Sequence, residues 1–87
     1  MKTVEYTIIN ELGLHARPAG ILVKLAAKQA CKVTISKGEK SADAKKIFGV
    51  MGLGVKCNDM ISITCDGEDE EATISAITEL FKEHALI

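Results

Sequence analysis

Eighty-seven residues are enough for one small domain, read here as spanning 1–87, that buries only part of its surface. A hydrophobic fraction of 47% is that of a globular chain and excludes a disordered one. A net charge of −1 excludes a general nucleic-acid binder. No apolar run is long enough to cross a membrane, and Met1-Lys2-Thr3-Val4-Glu5 carries no signal-peptide core, so a cytoplasmic protein without membrane insertion is expected. The aromatic residues are Tyr6, Phe48 and Phe81, which leaves the core to Ile, Val, Leu, Ala and Met. Cys31, Cys57 and Cys65 are odd in number and far apart. That spacing argues against a disulfide framework and against a metal site, and small buried or half-buried residues kept reduced are expected.

In chain order, Val4, Tyr6 and Ile8 alternate with Thr3, Glu5 and Thr7, the pattern of a strand with one buried face. Asn10-Glu11-Leu12-Gly13 reads as a loop. A helix is predicted from Ala16 to about Lys28, with Ala19, Leu22, Leu25, Ala26 and Gln29 on a mostly apolar face and Lys24 and Lys28 on another. Cys31, Val33 and Ile35 mark a second strand, Lys37-Gly38-Glu39 a turn, and Lys40 to Ala44 a returning third strand, together a hairpin. Lys45 to Leu53 is apolar but rich in glycine. A short helix stopped at Gly54 is preferred there, with a buried strand as the competitor. Met60 to Cys65 alternates again as a fourth strand. Acidic residues 68–71 then start a last helix, complementing its dipole, and Ile74, Ile77, Leu80 and Phe81 form its buried stripe. The order β-α-β-β-α-β-α predicts an α+β fold: a two-layer open-faced sandwich, with a four-stranded antiparallel sheet and three helices on one face.

The informative run is Gly13-Leu14-His15-Ala16-Arg17-Pro18-Ala19. Pro18 is tolerated in a first helical turn, where the N–H it lacks would have no partner. A helix start offers unpaired backbone N–H donors and a partial positive charge, and so attracts anions. A lone histidine near a helix start is ordinarily a surface or capping residue. Here Gly13 allows a tight presenting loop, Arg17 adds a permanent cation with a planar donor fork, and Ala16 and Ala19 leave room for a phosphoryl group. A neutral imidazole is a good nucleophile near physiological pH. No neighbouring side chain is placed to activate water; Asn10 and Glu11 lack an evident orienting partner. Reversible phosphorylation is therefore favoured over hydrolysis.

That run resembles the active-site signature of the histidine-containing phosphocarrier (HPr) family of the bacterial phosphoenolpyruvate-dependent sugar phosphotransferase system. Lys40-Ser41-Ala42-Asp43-Ala44-Lys45 followed by residues 47–54 resembles the family's second signature, and Gly67-Glu68-Asp69-Glu70 the start of its last helix. The resemblance implies a carrier without turnover of its own and without a cofactor. His15 would accept a phosphoryl group on Nδ1 from phospho-enzyme I and pass it to sugar-specific IIA domains. Arg17 would steady the group, together with the backbone N–H groups of Ala16 and Arg17. Gly20, Ile21, Lys24, Ile47, Phe48 and Met51 would dock partners, with at least one of the last three exposed. Many relatives carry a regulatory serine just before the second helix; Lys46 stands there, without a hydroxyl and with a positive charge. A monomer is the default. Two other readings remain: a regulatory paralogue of the carrier, and a thiol-based redox or metal protein, which the cysteine spacing supports little.

Overall fold

The computed structural model describes residues 1–87. Seven elements follow one another: β1 (Lys2–Thr7), α1 (Ala16–Ala27), β2 (Lys32–Lys37), β3 (Lys40–Asp43), α2 (Ile47–Gly52), β4 (Met60–Asp66) and α3 (Glu70–Glu83). The strands form one antiparallel sheet in the order β1-β4-β2-β3. The order of elements and the open-faced sandwich are those the alternation predicts. Residues 47–52 are helical, not a buried strand, and the chain turns out of α2 at Gly54 with φ of 61°, a left-handed conformation that glycine adopts without a Cβ penalty.

β4 joins the sheet's two halves, and its register sorts the faces. Val4 pairs with Ile63 and Ile63 with Ile35, while Thr3 pairs with Thr64 and Thr64 with Thr34. Side chains alternate across a strand, so the aliphatic row faces the helices and the threonine row faces outward, where the Thr3 and Thr64 hydroxyls lie 2.9 Å apart. Three of the predicted strands overran by a residue, while the fourth runs one residue further, to Asp66. Ile8, Cys31 and Ala44 are buried but lie just outside the ladders. They fill the core where the chain is already leaving the sheet, and alternation alone does not distinguish that from a strand.

Against the aliphatic face pack Ala19, Leu22 and Ala26 of α1 and Ile74, Ile77, Leu80 and Phe81 of α3, all buried. Phe81 meets Tyr6 edge to face, with ring centroids 5.0 Å apart and planes at 80°. The Thr78 hydroxyl donates to the Ile74 carbonyl at 2.9 Å, so Tyr6 donates its own proton to Thr78 Oγ1 at 2.7 Å. Burial pushes the tyrosine pKa up. Gln29, expected on the apolar face of the first helix, lies just past its end, because α1 stops at Ala27 with Lys28 as the C-cap. Its Oε1 accepts from the fully buried Thr73 hydroxyl at 3.2 Å, and Thr73 in turn accepts from the Cys31 thiol at 3.4 Å. Cys31 and Cys65 are buried, Cys57 is half-buried, and all three are free. Burial, with Cys31 alongside, pushes the Cys65 thiol up to about 12, where it is unreactive.

Acidic residues fasten the end of the sheet to α3. Asp69 accepts the Ala30 and Cys31 amides, each at 2.9 Å. Those bonds hold its carboxyl below the usual range. Glu70 is lowered likewise, by the Gly67 amide and the N-terminal ammonium. A carboxylate whose folded pKa is depressed contributes stability above its unfolded value, near pH 4, and loses it as pH falls through the folded value. The melting temperature should therefore hold between pH 7 and about pH 5 and drop below about pH 4. Asp69→Ala, which strands two amides, should lower it by several degrees at pH 7 and flatten the acid limb, as read by circular dichroism melts at pH 7 and pH 3.

Candidate functional site

The site is assembled at the start of α1. His15 is the N-cap, extended at φ −81° and ψ −177°, and its ring makes no capping hydrogen bond. The first helical bond runs from the Ala19 amide to the His15 carbonyl at 3.0 Å. Pro18 has no N–H, so the unpaired donors of the first turn reduce to the amides of Ala16 and Arg17. Both residues are exposed, and His15 is half-buried. Arg17 takes part in none of the salt bridges, which join Met1, Lys2 and Lys37 to carboxylates. An imidazole, two free amides and an uncommitted guanidinium thus share one turn, and no acidic residue stands in that turn to compete for them. Such a cluster can receive an anionic group on or beside the ring.

The loop before His15 is built by its own backbone. The Asn10 side-chain oxygen accepts the Leu12 amide at 2.9 Å and the Asn10 carbonyl accepts the Gly13 amide at 2.9 Å. Asn10 is therefore a loop builder; the short-range hydrogen bonding typical of asparagine was the signal for it. Gly13 has φ of +65°, and a Cβ there would stand 2.3 Å from the Val55 carbonyl oxygen. That close approach lets the Leu14 amide donate to the Val55 carbonyl at 3.1 Å, while the Leu14 side chain is buried beneath the ring-bearing turn.

α1 packs against α2, which brings the two groups of predicted docking residues onto neighbouring helices. Lys24 is exposed, and Gly20, Ile21 and Ile47 are half-buried. Phe48 is 90% exposed and Met51 39%, so neither is core, whereas Val50 between them is buried. Leu12, 72% exposed in the loop ahead of His15, is an apolar surface residue that the sequence reading left out. Lys46 is the N-cap of α2, exposed and without a side-chain cap bond. The one groove of the molecule lies elsewhere, on the open face of the sheet beside Glu5, Ser36, Met60 and Ser62. The site at His15 is a surface and not a pocket.

Comparison with known proteins finds relatives along nearly the whole chain. The family model described as the PTS HPr component phosphorylation site matches residues 2–83. The phosphocarrier protein HPr of Lysinibacillus sphaericus is 41% identical over 86 residues, covering 99% of this chain and 98% of that protein. Among solved structures, a mycoplasma histidine-containing phosphocarrier protein superimposes with a TM-score of 0.96 at 37% identity, covering 99% of this chain and 98% of the other. HPr from Thermoanaerobacter tengcongensis superimposes with a TM-score of 0.89 at 39% identity, covering 94% and 92%.

Two glycines near the site separate backbone constraint from free surface. Gly13→Ala must both hold a left-handed conformation and displace Val55. It should cost on the order of 2 kcal/mol or more in urea unfolding and move the Leu14 and His15 amide resonances. Nothing lies within 4 Å of a Cβ at Gly20, so Gly20→Ala in the middle of α1 should add up to about 1 kcal/mol.

Proposed function

This chain belongs to the HPr family of phosphocarrier proteins of the phosphotransferase system, and from that membership we propose that His15 is its phosphoryl acceptor, charged by phospho-enzyme I and discharged to sugar-specific IIA domains. The observation that carries this reading is the pairing of a part-exposed imidazole with the free amides of Ala16 and Arg17 and the unpaired guanidinium of Arg17. Transfer forms a P–N bond at Nδ1 as the donor's bond to phosphorus breaks, and the reverse exchange hands the group on. The amides and Arg17 offset the charge that arrives with it. They are already oriented by the helix, so little reorganisation accompanies the step.

The carrier is a substrate of other enzymes, with no turnover of its own. Its docking surface combines Gly20, Ile21 and Lys24 with Ile47, Phe48 and Met51, and a small exposed patch of this kind suits brief encounters. Serine phosphorylation at the start of α2 is ruled out by Lys46, whose ammonium gives that end of the surface a fixed positive charge.

Phosphoenolpyruvate with enzyme I should add one acid-labile, base-stable phosphate to this chain. His15→Ala should abolish it, and label persisting in that variant would sink the assignment. Arg17→Ala should keep the melting curve and slow transfer on the order of tenfold or more. Phe48→Ala should leave stability within about 0.5 kcal/mol and raise the KM of enzyme I for the carrier severalfold, as read by initial-rate transfer assays.

A further inference from the structure

Lys37 ends β2, remote in sequence from the phosphoryl site, yet it closes the loop on which the site rests. Its Nζ donates to the Gly54 carbonyl at 2.9 Å and pairs with Asp59 Oδ2 at 2.9 Å. One ammonium thus ties together both ends of the segment 54–59. The same Asp59 oxygen accepts the Lys56 amide at 2.8 Å, and the Asp59 amide donates back to the Lys56 carbonyl at 3.0 Å. Lysine and aspartate side chains each keep only 30% of their exposure, and the Lys37 hydrogen bond holds the Asp59 carboxyl below its usual range.

The clasped segment is the wall behind the site. Its Val55 carbonyl accepts the Leu14 amide, the Asn58 amide donates to the Ile8 carbonyl at 2.6 Å, and the Ile8 amide donates to the Asp59 carbonyl at 2.9 Å. Gly13 approaches Val55 and Lys56 too closely for any Cβ. A shift of Val55 therefore passes directly into Gly13-Leu14 and so into the N-cap that carries the ring. We propose that Lys37 is a positioning residue for phosphoryl transfer, fixing the segment 54–59 that sets the orientation of His15. It acts through Asp59, Gly54 and Val55, and touches neither the ring nor the phosphoryl group.

This inference rests on His15 being the acceptor, and the test keeps the two apart. Lys37→Met retains the aliphatic stem and removes the ammonium. It should lower kcat for transfer from enzyme I to this carrier on the order of tenfold, leave KM close to that of the unaltered protein, and speed hydrogen exchange at the Leu14 amide. Lys37→Arg should restore most of the rate. Lys2→Met, which removes the remote pair with Glu71, should change none of these. If Lys37→Met does not fold, Asp59→Asn loosens the same clasp while keeping an oxygen for the Lys56 amide. Normal kcat with a protected Leu14 amide would overturn the proposal, as would a rate lost only in proportion to the unfolded fraction. If the unaltered protein takes no phosphate on His15, it is the acceptor assignment that fails, and Leu14 exchange still reports whether Lys37 fixes the loop.

Discussion

The hydrogen bond from the Leu14 amide to the Val55 carbonyl is the constraint on which the site depends. A helix start faces wherever its preceding residues send it, and a free loop would send it in many directions. Here the direction is over-determined. Gly13 is held in a left-handed turn against Val55 and Lys56, Leu14 is buried below, and His15 follows as the N-cap. Ordering two or three loop residues costs about 1–2 kcal/mol each in backbone entropy. The bond and the Leu14 burial offset that cost, so the backbone that carries His15 is already in place.

The molecule divides its polar groups between two uses. Inside, every buried side-chain donor and acceptor has a partner: Tyr6 with Thr78, and Thr73 with Gln29 and Cys31. At the start of α1 the pattern reverses, and two amides and a guanidinium are left to solvent. Unpaired donors are tolerable there because water satisfies them until an anion displaces it. Had Pro18 been any other residue, a third amide would have competed for the same space. Proline also sets the backbone dihedral of the first turn, so its presence narrows the donor set and stiffens it.

Most of the fold was legible because it rests on periodicity. Period-two alternation around Tyr6, Ile35 and Ile63 and the stripes of α1 and α3 are local properties of the sequence, and so is the run from Gly13 to Ala19. What could not be read was the support behind the site. Lys37 and Asp59 meet across 22 positions, and each looks like an ordinary turn residue in its own segment. The same holds for Asp69, whose acceptance of the Ala30 and Cys31 amides reaches back 39 and 38 positions, although its place among the acids of a helix start was evident. Strand ends were overread at Ile8 and Ala44 because burial, and a backbone bond from Ile8 to Asp59 and from Ala44 to Val33, continue one residue past the last paired positions.

The short helix α2 shows how six residues can serve core and surface together. Ile47 and Val50 are three apart, as are Phe48 and Met51, so the two pairs lie on different sides of one and a half turns. The first pair is drawn inward, with Val50 buried, and the second is left outside, with Phe48 most exposed of all. No side chain caps its start: Lys46 offers no side-chain acceptor and brings a cation to the positive end of the dipole. So short a helix, without an N-cap bond, is not stable alone. Its stability comes from contact with α1 and β3, where Gly49 comes so near Ala42 that a Cβ would stand 3.3 Å from that methyl. The packing that holds α2 against α1 therefore also fixes how the exposed Phe48 is presented relative to α1.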